Sequence, residues 1–92
     1  MRGAFITFEG PESCGKSTQA SLLDSYLRRK GRKVVFIREP GGTAVSEKIR
    51  KILLDKKNTS ISPVTEMMLY MTSRRQTVEE VIVPALEAGK IV

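Results

Sequence analysis

The 92-residue sequence predicts one α/β domain with a parallel sheet at its centre, and three observations predict it. Two short, continuous apolar runs, Ala4 to Phe8 and Val34 to Ile37, are rich in branched and aromatic residues, as in strands covered on both faces of a parallel sheet. Between them Leu22, Leu23, Tyr26 and Leu27 recur at helical spacing. A glycine-containing loop joins the first run to that helix, completing a strand, loop, helix, strand unit.

Each further element has its own local reason. Gly31 stands where the first helix should stop. Pro40, Gly41 and Gly42 make a turn after the second strand, and Val45, Ile49, Ile52 and Leu53 then mark one face of a second helix. Lys56 to Ile61 reads as loop. Ser62 followed by Pro63 starts a third helix, the hydroxyl serving as cap and the proline standing where no N–H is needed. Val78, Val81, Ile82, Ala85 and Leu86 continue the helical stripe, Thr77 with Glu80 is expected to form a capping box that restarts it, and Pro84 is expected to kink it. Gly89 ends that segment, and Lys90, Ile91 and Val92 open another buried strand. No repeat, low-complexity tract or flexible linker interrupts residues 1–92, so they are read as one piece of one domain.

Composition narrows the function. An apolar share of 40% and a charged share of 28% belong to a globular chain, and the net charge of +6 admits nucleic acid, a membrane surface or a phosphorylated small molecule as partner. The basic residues concentrate only at Arg28, Arg29, Lys30, Arg32 and Lys33, where a helix ends and cations favour its dipole. Two tyrosines and three phenylalanines lack the aromatic interleaving of single-strand binders, so nucleic acid is not expected. The start of the chain has no signal-peptide pattern and no apolar run is long enough to span a membrane. Cys14 is the one cysteine, which excludes an internal disulfide and suits a reducing cytoplasm.

The chemistry rests on Gly10-Pro11-Glu12-Ser13-Cys14-Gly15-Lys16-Ser17, a GxxxxGK[ST] motif directly after a strand and directly before a helix. Glycines let successive backbone N–H groups turn inward, and the helix N-terminus adds positive potential, so the loop cradles phosphate oxygens. Lys16 supplies a mobile charge for the β and γ phosphates of ATP, Ser17 offers a hydroxyl to Mg²⁺, and Thr18 is a secondary helper. Cys14 reads as a small residue that fits beside phosphate, not as a nucleophile.

A P-loop names the donor and leaves the acceptor open. FITFEGPESCGKST, REPGGT at Arg38 to Thr43, EKIRKILL and LYMTSRRQTVEEVIVPAL occur in the order and spacing of bacterial thymidylate kinases, and the sequence resembles that family along essentially its whole length. The resemblance implies a three-layer P-loop NTPase fold of the nucleoside monophosphate kinase type, phosphoryl transfer from ATP to dTMP, and a homodimer. By position, Glu12 corresponds to the acid that holds the sugar 3′-hydroxyl, and Glu39 and Pro40 to the turn lining the monophosphate site. Arg50 corresponds to the catalytic arginine that grips the acceptor phosphate. Tyr70 and Arg74, four residues apart on one helix face, correspond to the pair that reads thymine, with Gln76 close behind.

Other readings of these residues stand beside those: Arg50 as an exposed arginine paired with Glu47, and Tyr70 as a packed core residue. Different acceptors and a nucleotide-binding module without transfer remain the competing functions. The resemblance further implies an Asp-Arg motif and a lid beyond Val92, so the 92 residues are expected to be the front of a longer kinase and not to catalyse transfer alone.

Overall fold

Helices account for most of the regular structure in a computed structural model that describes residues 3–11 and 14–92. In chain order these are α1 (Lys16–Arg29), α2 (Ala44–Leu54), α3 (Pro63–Thr77), a π-helical turn (Val78–Ile82) and α4 (Val83–Glu87). The chain divides into two units, residues 1–36 with 85–92, and residues 37–84.

In the first unit, α1 begins on Gly15, whose φ of 85° lies in the left-handed region open to glycine. It ends as its sequence foretold, on Gly31. The Gly31 N–H donates to the Arg28 carbonyl at 3.0 Å and the Arg32 N–H to that of Leu27 at 3.0 Å, a Schellman arrangement that uses carbonyls the helix leaves open. The same device closes α4, where Gly89 donates to Leu86 and Lys90 to Ala85.

The strands are where expectation and structure part. Among the described residues no continuous ladder forms, and the runs from Ala4 and Val34 each make one isolated parallel bridge, both to Ile91. The Ile6 N–H donates to the Val92 carbonyl at 2.8 Å and Val92 returns the bond to Ala4 at 2.9 Å. On the other side Ile91 donates to Lys33 at 2.9 Å and Val35 to Ile91 at 2.8 Å. Residues 90–92 therefore lie between the two runs, all pointing the same way. Gly3 allows this approach, since a Cβ there would fall 1.6 Å from the Lys90 carbonyl oxygen.

The parallel direction is as expected; burial on both faces is not, because Phe5, Ile6, Phe8 and Phe36 are exposed. A strand is buried only where neighbours pair both edges and helices cover both faces. The stripe on α1 is likewise uncovered: Leu22 and Tyr26 are 58% and 50% exposed, and no residue of the helix is buried. Among the described residues this unit buries Ala85, Ile91 and Val92.

In the second unit α2 and α3 pack together. Thr43 caps α2 by accepting from the Ser46 N–H at 2.9 Å, and Ser62 caps α3 by accepting from Thr65 at 3.1 Å, with Pro63 in the first turn as foreseen. Of the expected α2 stripe Ile49 is buried, while Val45 and Ile52 are 48% and 44% exposed. Thr77 is not a cap. Its backbone is helical, with φ −64° and ψ −40°, and its hydroxyl bonds elsewhere, while Glu80 accepts from Gln76 at 3.0 Å. The helix does not restart there; it widens into the π turn, where the Val83 N–H reaches the Val78 carbonyl. Pro84 accounts for the widening, because it has no N–H to give the carbonyl four residues before it.

Candidate functional site

The motif loop occupies the head of α1. Gly15 brings no side-chain cap, the first internal bond runs from the Gln19 N–H to the Gly15 carbonyl at 3.0 Å, and the earlier N–H groups of the first turn have no acceptor within the helix. Gly10 has φ 155°, and a Cβ there would lie 2.9 Å from the Cys14 sulfur, so this position too needs glycine. Lys16 folds back over the loop and donates from Nζ to the Gly10 carbonyl at 3.0 Å. Pro11, Cys14, Ser17 and Thr18 are exposed around it, Ser17 and Thr18 in the first turn of α1. Uncapped N–H donors, a helix N-terminus and a mobile ammonium together make a receptor for anionic oxygens. Glu12 and Ser13, which the sequence assigns to this loop, lie outside the described residues.

The second unit carries the turn Glu39-Pro40-Gly41-Gly42, in which the Glu39–Pro40 peptide is cis. Side chains of two helices grip it. From α3, Arg74 donates through Nε to both Glu39 carboxylate oxygens, at 3.2 and 3.0 Å, and its Nη2 also pairs with Glu39. From α2, the half-buried Arg50 donates from Nη1 to the Pro40 carbonyl at 3.0 Å. Thr77 donates to the next carbonyl, that of Gly41, at 2.6 Å.

Arg50 is therefore not an exposed arginine paired with Glu47, because Arg38 takes that carboxylate with Nη2 on Oε1 at 2.7 Å. The hydrogen bond from Arg38 holds the Glu47 carboxyl below the usual value; burial opposes this, and the charges of Arg38 and Arg50 and the Gly42 amide reinforce it. Oε2 of Glu47 is shut off from solvent near Gly42 without a hydrogen bond of normal geometry. Tyr70 stands one helical turn before Arg74 and is 43% exposed, so it is not a core residue, and Gln76 is committed to Glu80.

The thymidylate kinase family model matches residues 8–92, which include the loop and the turn. The chain belongs to the thymidylate kinase family. It is 60% identical over 92 residues to the thymidylate kinase of Thermoanaerobacter sp. (strain X514), covering all of this chain and 45% of that one. It is 59% identical over 90 residues to that of Pelobacter propionicus, covering 98% of this chain and 41% of that one. A crystal structure of thymidylate kinase from Ehrlichia chaffeensis superposes with a TM-score of 0.87 at 36% identity, over 100% of this chain and 52% of that one. This likeness supports the P-loop fold type, and the chain spans about half the length of the relatives it matches or less.

Membership makes Mg²⁺ a group to test against the donors. No cluster of three or more His, Cys, Asp or Glu occurs among the described residues, so no all-protein cage is present. Ser17, exposed in the first turn of α1, fits a cation held mostly by phosphate oxygens. No helix is long and apolar enough to cross a membrane among the described residues.

Sequence reasoning missed Arg38, Thr43, Ser46 and the hydroxyl role of Thr77. Thr43 before an apolar stripe was a readable cap signal. Ser46 and Thr77 gave none, because a small polar residue on a helix looks the same from sequence whether it faces water or a neighbouring helix.

Proposed function

We propose that the protein transfers the γ-phosphoryl group of ATP to dTMP, giving dTDP and ADP. The observation that carries this reading is the uncapped head of α1 with Lys16 folded over Gly10, in a chain that matches thymidylate kinases over residues 8–92. The loop Gly10, Pro11, Glu12, Ser13, Cys14 and Gly15 wraps the donor phosphates, and its backbone N–H groups, which every residue but the proline has, donate to them. Lys16 leaves the Gly10 carbonyl to follow charge developing on the transferred group. Ser17 holds Mg²⁺, with Thr18 beside it, and the cation when bound neutralises phosphate charge.

On the acceptor side, Arg50 grips the dTMP phosphate next to Glu39 and Pro40, and Glu12 takes the sugar hydroxyl. Tyr70 stacks on the base, and Arg74 donates to a thymine carbonyl with Gln76 behind it. Arginine contacts already formed with Glu39 and Pro40 support this reading, since they hold both guanidinium groups in place before a ligand arrives.

The single exposed cysteine suits a cytoplasmic protein. The exposed apolar stripe Val64, Met67, Met68 and Met71 on α3 supports a homodimer, checked by sedimentation of the full-length protein. The function is tested with a panel of nucleoside monophosphates and ATP on the full-length protein. Preference for dTMP is expected; equal or better turnover of another monophosphate refutes the acceptor assignment.

A further inference from the structure

We propose that Thr77 is a positioning residue for the acceptor site, acting through a buried relay of hydroxyl groups that fixes the turn beneath Glu39 and Arg50. This inference rests on the acceptor role just proposed for that turn.

The interior between α2 and α3 is polar where an apolar one would suffice. Ser46, Ser73 and Thr77 are at most 1% exposed and Thr43 7%. Thr43 Oγ1 donates to Ser46 Oγ at 2.9 Å while accepting from the Ser46 N–H, which spends its one proton. Ser46 Oγ lies 2.9 Å from Thr77 Oγ1, and Thr77 Oγ1 lies 2.6 Å from the Gly41 carbonyl. One direction satisfies all of these contacts: Thr43 to Ser46, Ser46 to Thr77, Thr77 to Gly41. The Ser73 carbonyl offers Ser46 and Thr77 alternative acceptors at 2.8 and 3.1 Å, so no proton in the chain lacks a place.

The relay ends on a carbonyl adjacent to the one that Arg50 holds. Successive carbonyls, Pro40 and Gly41, are thus pinned to α2 and α3. The Thr77 methyl closes the other side, since a Cβ on Gly42 would lie 3.0 Å from it. A turn with glycines at φ 146° and 100° has wide backbone freedom, and these contacts remove it. The Ser73 hydroxyl, equally buried, has no hydrogen-bond partner among the described residues and takes no part.

The test compares Thr77→Val, Thr77→Ser, Ser46→Ala, Ser73→Ala and Arg50→Ala in the full-length protein, reading KM for dTMP, KM for ATP, kcat and Tm. Thr77→Val is expected to raise the dTMP KM by about tenfold, the equivalent of one buried hydrogen bond, with the ATP KM within about twofold. Thr77→Ser restores the dTMP KM, Ser46→Ala shifts it in the same direction as valine, and Ser73→Ala leaves it unchanged. Should Thr77→Val prove insoluble, the Ser46→Ala and Thr77→Ser pair carries the comparison. A fall in Tm with both KM values unmoved, while Arg50→Ala still raises the dTMP KM, overturns the positioning role alone. An unchanged dTMP KM in Arg50→Ala overturns the acceptor assignment and this inference with it.

Discussion

Lys16 spends its charge on a neutral carbonyl, a weak partner that a phosphate readily displaces. Lys16→Ala in the full-length protein is therefore expected to lower kcat by about 100- to 1,000-fold with the far-UV circular dichroism unchanged; near wild-type turnover would sink the assignment. Arg74 is held by Glu39 through several contacts, and its removal takes these from the carboxylate and, in the proposed site, takes the donor from the thymine carbonyl. Arg74→Ala should weaken dTMP use by about 1 to 3 kcal/mol and scarcely touch ATP affinity, so equal losses on both substrates would place this arginine elsewhere.

Glu47 gives a pH prediction whose sign follows from Arg38. A carboxyl held below its unfolded value of about 4.3 contributes stability that is complete above that value and disappears as pH falls through the lower folded one. Urea titrations of the wild type and Glu47→Gln should differ most near neutrality, and the gap should close as pH falls below the unfolded value of about 4.3 and on through the lower folded one. A gap that stays constant on acidification would contradict the pairing with Arg38.

At the scale of elements, helix ends carry much of the local specification. Ser62 satisfies the Thr65 N–H at 3.1 Å, and its hydroxyl also reaches Thr65 Oγ1 at 2.9 Å. Ser62→Ala should cost about 0.5 to 2 kcal/mol of unfolding free energy in urea with the m-value unchanged, and no loss would mean that water replaces the cap without penalty. The π turn at Val78–Ile82 belongs to this scale too, for it arises from one missing N–H at Pro84 and keeps the chain helical where the residues suggested a restart.

Across the whole molecule, the main feature is apolar surface left open. Phe5 is 53% exposed, Leu22 58%, Met68 59% and Met71 62%. Patches of this kind are rare on monomeric soluble chains and drive association. The 92-residue chain studied by itself is expected to bind a hydrophobic dye and to self-associate in sedimentation experiments; a dye-silent monomer would show that these side chains find cover within the chain.

The sequence by itself determined what depends on neighbours along the chain. GxxxxGK[ST] placed the loop at the head of α1, Gly31 and Gly89 marked helix ends, and Ser62-Pro63 marked a start, because capping and backbone freedom act within a few residues. Helical period located α1 and α2, and the stripe from Val78 to Leu86 located the segment that continues α3, for the same reason. Contacts across long stretches of chain were decided only by tertiary structure. Which partner Arg50 and Glu47 each take, the commitment of Arg74 to Glu39, and the conversion of Thr77 from an expected cap into the end of a buried relay all join residues that sequence spacing does not relate. The apolar runs from Ala4 and Val34 each meet Ile91 in the expected parallel direction, but as single bridges and not as strands of a sheet, and they are not buried. Burial is a property of what packs against a strand, and a hydrophobic side chain is written the same way whether it is covered or open.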